Sequence, residues 1–207
     1  MKAGRLAVPI KRLIAKLGIP EQKFSLKQSH FDRLSRLHGI PHTYRVMTHC
    51  LAIGAMTGHE RETLLAFCGA YVHDMARQHD GRCEHHGQWA AERKVPLFLP
   101  LFRETGMKDD EADVICRIVT AHSIPAEPFA EKADLALSIL KDADALDRIR
   151  LGEDNLKPEF LRLDISHTLI EFSRKLFHAT NDAEPESFEN CFTVAEELLR
   201  KCMPEKI

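Results

Sequence analysis

The sequence predicts an all-α protein built as one helical bundle. Apolar residues recur at helical spacing along most of the chain, strict alternation is nearly absent, and glycine and proline mark several boundaries between periodic stretches. A length of 207 residues suits one sizeable core rather than two.

The elements follow in order. The first twenty residues hold Lys2, Arg5, Lys11, Arg12 and Lys16 without an acid. They read as a short surface helix, because Lys11 and Arg12 interrupt the apolar run that a secretory signal needs. Gly39 closes FDRLSRLHGI, and Pro41, with its backbone angle preset for a first turn, opens a helix over 41–57. Gly58 stops it. Glu60 and Glu62 then place negative charge where the next helix, 60–75, has its positive dipole end. Further helices are expected at 83–94, 108–122, 133–149, 165–179 and 185–202. The stretch VPLFLPLF at 95–102 is apolar with two prolines and predicts a short buried turn of helix. IPAEPFAEK at 124–132 and LGEDNLKP at 151–158 are expected loops.

Composition excludes several classes. Hydrophobic residues at 44% and charged residues at 29% exclude a mainly disordered chain. A net charge of -2 supplies no global attraction to a phosphate backbone, so no duplex nucleic acid partner is expected. No apolar window approaches the roughly 18 residues of a membrane span, and no membrane partner is expected. The six cysteines form no C-x-x-C pair and sit mostly in apolar helical pattern, which fits reduced thiols in the cytoplasm. Nucleotide-loop, dinucleotide, serine-hydrolase and H-E-x-x-H signatures are absent from the sequence.

Histidine is the outlier. Nine of the 12 fall within residues 38–122. Several ligand-type side chains lie on stripes that should be buried, where an unpartnered polar group costs several kcal/mol, on the order of 2–7. His42 opens the helix that continues through Val46 and Cys50. His73 and Asp74 follow the inner face Leu64, Leu65, Cys68 and Val72. Ile115 and Ile118 lead to His122, and Leu137 and Leu140 lead to Asp144. Imidazole and carboxylate groups from separate helices would supply nitrogen and oxygen ligands to one divalent ion.

The ordered set H-x-x-R-V (42–46), Y-V-H-D (71–74), A-H-S (121–123) and D-A-D-x-L-D (142–147) resembles the HD superfamily of metal-dependent phosphohydrolases. The resemblance spans about 38–151. It implies an HD-type helical bundle with N-terminal helices at 1–37 and C-terminal covering helices at 158–207, the latter a cover, a lid or a homodimer surface. It implies His42, His73, Asp74 and Asp144 as metal ligands, with His86 and His122 at a second ion or facing the substrate phosphate. Asp74, Arg77 and His122 are the expected catalytic residues: Asp74 holds water, Arg77 offsets phosphoryl charge with Lys141 or Arg148, and His122 protonates the leaving oxygen. His42 is preferred to His49, which lacks the following x-x-Arg-Val. Asp142 remains a rival to Asp144, and His85 to His86. His79-Asp80, His30 and His59 read as surface or loop, His167 and His178 as structural, and Arg45 as one half of a buried ion pair. The implied cofactor is one or two divalent ions among Mn, Fe, Co, Ni, Zn and Mg, and the implied partner is a small phosphorylated substrate. A di-iron oxygenase and a non-catalytic nucleotide-binding module are the alternatives.

Overall fold

The computed structural model describes residues 9–124, 134–181 and 187–202. Among these residues there are helices and turns and no strand. The helices are α1 (Ile10–Lys16), α2 (Ile40–Thr57), α3 (Glu60–Val72), α4 (His86–Arg93), α5 (Val95–Arg103), α6 (Ala112–His122), α7 (Leu135–Leu146), α8 (Asp164–Thr168), α9 (Ile170–Asn181) and α10 (Phe188–Cys202).

Helix α2 is the axis of the bundle. Gly39 and Pro41 begin it, and Gly58, in a left-handed conformation at φ 74°, ends it by donating to the Gly54 carbonyl. Every residue from His42 to Ala55 is buried, because α3, α7, α9, α10 and α1 all pack around it. A helix enclosed on all sides needs no polar face, and this one spends its polar residues inward. Helix α3 is likewise buried from Thr63 to Val72 and lies against α2, α6 and α7.

Several expected elements change in detail. The 95–102 stretch forms a nine-residue helix, and it is only partly buried: Val95 and Phe102 are enclosed while Leu97 is 69% exposed. Pro96 sits in the first turn, where its missing N–H costs no hydrogen bond. Helix α7 starts at Leu135, with the Asp134 carboxylate accepting from the Leu137 N–H, and tightens into a 3-10 turn over Asp147–Leu151. The expected 165–179 helix breaks at Leu169 into α8 and α9. The N-terminal helix is docked, with Ile10, Leu13 and Ile14 buried against α2 and α10. The expected loop at 124–132 lies almost wholly outside the described residues.

The cysteines are all unpaired, and Cys50, Cys68 and Cys191 are buried. Burial pushes the Cys68 thiol up to about 12 and the Cys191 thiol up to about 11. Such thiols pack; they do not attack.

His49 sits two turns after His42 on the same face of α2, fully buried, with its ring edge-on to Phe172. Neither ring nitrogen has a hydrogen-bond partner among the described residues. Burial lowers its pKa to about 4, against smaller opposing influence from Asp147. The folded state therefore refuses a proton that the unfolded chain accepts below about 6.5, so stability falls as pH drops from 6.5 toward 4. At about 1.4 kcal/mol per pH unit, the loss by pH 4 is about 3 kcal/mol. Urea midpoints of a His49→Leu variant should equal or exceed the wild type at pH 7 and decline less steeply below pH 6.5; an unchanged acid slope would refute this.

Candidate metal centre

The end of α3 sets the geometry. After Val72 the chain turns through single bonds from Met75 N–H to the Val72 carbonyl and from Arg77 N–H to the Asp74 carbonyl. Neighbouring side chains on a regular helix diverge by about 100°. This turn lets His73 and Asp74 reach into one cluster instead.

Helix α2 brings His42 to the same place, α4 and α6 bring His86 and His122, and the inner stripe of α7 brings Asp144. The Nε2 atoms of His42 and His73 face each other at 3.1 Å. His42 Nε2 is also 3.4 Å from both Asp74 Oδ2 and Asp144 Oδ1. Beside this group, the Nε2 atoms of His86 and His122 face each other at 3.0 Å, with His86 Nε2 3.1 Å from Asp74 Oδ1. Ligand-type atoms of His42, His73 and Asp144 lie within 4.8 Å of one another, as do those of His73, Asp74 and His122.

The tautomers follow from the other ring nitrogens. His42 Nδ1–H donates to Asp147 Oδ2 at 2.7 Å, His73 Nδ1–H to the Ala70 carbonyl at 2.7 Å, and His86 Nδ1–H to the Cys83 carbonyl at 2.6 Å. His122 Nδ1–H donates to the Val119 carbonyl. Each neutral ring then carries a lone pair, not a proton, on Nε2. Four imidazole lone pairs thus converge with the oxygens of Asp74 and Asp144, and the Asp144 Oδ1 is buried without a hydrogen-bond partner. Acceptors alone repel one another; a cation between them reverses the sign. The donor set therefore fits a divalent metal, and mixed nitrogen and oxygen ligation fits a transition ion better than calcium.

The charges agree with that fit. Burial would raise the Asp74 carboxyl, but His73 and the donors around it outweigh burial and hold it well below the usual carboxylate range. His38 Nδ1–H donates to Asp74 Oδ2 at 2.6 Å, and Arg77 Nε–H to Oδ1 at 2.8 Å. Burial likewise works against Asp144, and Arg150 at 3.7 Å with the two imidazoles overcomes it. Burial lowers His73 to about 3 and also lowers His86, so these rings stay neutral at ordinary pH, as ligands must be.

Close helix packing holds the second imidazole pair in place. A Cβ on Gly87 would come within 2.3 Å of the Val119 carbonyl oxygen and 2.9 Å of that of Thr120. Glycine here lets α4 lie directly on the last turn of α6, so His86 meets His122.

The remaining sequence expectations separate cleanly. Asp142 is fully buried but accepts from the backbone N–H groups of Arg162 and Leu163, so it anchors the chain entering α8. His85 is exposed beside Trp89. His79 and Asp80 are exposed, as is His59; His30 is half-buried against Phe98. His167 and His178 are exposed on the outer helices. Arg45 does form a buried ion pair, with Asp147. Three residues of the cluster were not assigned from sequence: His38, Asp147 and Arg150. Asp147 was legible in principle, since it lies three residues after Asp144 in D-A-D-x-L-D.

The family model for the HD domain matches residues 39–149, more than half of the chain. The chain belongs to the HD family. No curated protein and no solved structure matches it. The HD match begins at the cap of α2 and ends in the turn after α7, so it encloses His42, His73, Asp74, His86, His122 and Asp144, while His38 lies one residue outside. Membership places the chain in the superfamily of metal-dependent phosphohydrolases. Among the described residues, no helix is long and apolar enough to cross a membrane.

Proposed function

We propose that this HD protein hydrolyses a phosphate ester of a small metabolite. The observation that carries the reading is the convergence of four Nε2 lone pairs on two carboxylates at the floor of an open cavity. His42, His73, Asp74 and Asp144 would hold one divalent ion, and His86 and His122, with Asp74 between, a second. Such an ion, when bound, lowers the pKa of its water toward 7 and polarises a phosphoryl oxygen.

The protein's own residues supply the rest. Asp74 is the hinge of the site, fixed by His38 and Arg77 and shared by both imidazole pairs. Arg77 is held through Nε by Asp74 and through Nη1 by the carbonyls of His79 and Gly81. Arg77 also lines the cavity, where its guanidinium is placed to offset charge on a phosphoryl group. His122 fits the role of ligand better than proton donor, because its Nδ1 proton is engaged by Val119 and its Nε2 faces His86.

Elemental analysis of the purified protein, followed by a phosphoester panel with Mn, Fe, Co, Ni, Zn and Mg in turn, tests the reading. Phosphate release that requires an added ion and stops with chelator is the expected result. No release with any ion would overturn it, and oxygen consumption by an iron-loaded form would replace it with an oxygenase.

A further inference from the structure

Of the cations that line the cavity over the Asp74 cluster, one arginine has no described carboxylate partner. The cavity encloses about 610 Å³, and Arg77, Arg82, Lys141, Arg148, Arg150 and Arg162 line it against three carboxylates. The others are already engaged: Arg77 bonds Asp74, Arg150 lies 3.7 Å from Asp144 while its Nε donates to the Leu37 carbonyl, Arg162 lies 3.7 Å from Asp142, Arg82 pairs with Glu84, and Lys141 donates to the Ile124 carbonyl. Arg148 differs. Its Nε donates to the Asn155 carbonyl at 3.2 Å, and no described carboxylate pairs with its guanidinium.

Cations lie on either side of Asp144 in the chain. Lys141 comes three residues before Asp144 on the same face of α7, and Arg148 follows in the 3-10 turn after the helix; both side chains line the cavity. Arg162 joins them from the segment that Asp142 anchors by two backbone bonds. Phe160, 55% exposed, lines the same cavity and offers a ring-sized apolar surface beside these charges. A single phosphoryl group among Asp74, Asp144 and Arg77 leaves Arg148 facing solvent across the cavity with its charge unused. Guanidinium groups match phosphate oxygens in a two-point fork.

We infer that the substrate carries a second phosphate, held by Arg148, and that Arg148 sets a preference for bisphosphorylated over monophosphorylated small molecules. The inference rests on the phosphohydrolase reading only for which phosphate is cleaved. The binding preference stands on the cavity.

Isothermal titration of the full chain tests it, without divalent ion so that no turnover intrudes, and again with it. The probes are two matched pairs: adenosine 3′,5′-bisphosphate with adenosine 5′-monophosphate, and fructose 1,6-bisphosphate with fructose 6-phosphate. In at least one pair the bisphosphate should bind roughly tenfold tighter or more, a difference of about 1.4 kcal/mol. Arg148→Gln should bring that ratio close to one, and Arg148→Lys should recover part of it. Arg103→Gln, at an exposed residue paired with Asp109 and outside the cavity, controls for general charge and should leave the ratio standing. No preference in either pair, or equal weakening of both members by Arg148→Gln, would overturn the inference. A preference that persists while no phosphate is released with any ion would instead sink the hydrolytic reading and leave the subsite intact.

Discussion

Replacing Asp74 with alanine should remove both turnover and bound metal while leaving the helices in place. The carboxylate lies beyond the last residue of α3, in a turn, so no helical hydrogen bond depends on its side chain. Its two oxygens meet His38, His42, Arg77 and His86 within 3.4 Å. Without it, the two imidazole pairs lose the only anion they share among the described residues, and Arg77 loses the partner that orients it. Phosphate release should fall by several orders of magnitude, and elemental analysis should find little retained ion. Far-UV circular dichroism should change by only a few per cent. An Asp74→Ala protein with near-normal activity would mean that the reaction centre lies elsewhere.

Asp147→Ala should be the most destabilising single change in the site. Asp147 is wholly buried, accepts from Arg45 through both oxygens and from His42 Nδ1–H, and is held ionised by Arg45 and His42 against the opposing effect of burial. Removing it strands the buried Arg45 guanidinium, whose Nη1 already lacks a partner. An uncompensated buried charge of this kind costs about 3–5 kcal/mol. Urea unfolding should report that loss directly. Asp147→Asn separates the two duties. An amide can still accept from Arg45, but its NH₂ would oppose His42 Nδ1–H, favouring the tautomer that carries its proton on Nε2. The Asn variant should fold yet bind metal about 10–100-fold more weakly, the usual scale for losing a group that orients a ligand. Chelator competition measures it, and unchanged affinity would show that Asp147 does not fix the ring.

The bundle and much of its centre were readable because helical periodicity points at the core. His42, His73, His122 and Asp144 each continue an apolar stripe, and the family pattern set them in order. His49 continues the same stripe as His42, so periodicity alone could not rank them. What separates them is what lies opposite: two carboxylates for one ring and Phe172 for the other. Asp142 was ambiguous for a related reason, since its partners are backbone N–H groups twenty residues on, and backbone groups carry no sequence signature. His38 stands in an irregular segment before α2, where no period operates. Arg148 and Arg150 follow α7 in a 3-10 turn, whose tighter winding changes which of them meets Asp144.

The bare backbone contact at Gly87 separates two kinds of change open to this scaffold. Exposed side chains on the span joining α3 to α4 can be exchanged or recharged, and the far rings still meet, because their spacing is dictated by one helix resting on another. Lineages could therefore trade one metabolite for another by editing exposed side chains such as Asp80 and Arg82, which line the cavity, leaving the reactive interior untouched.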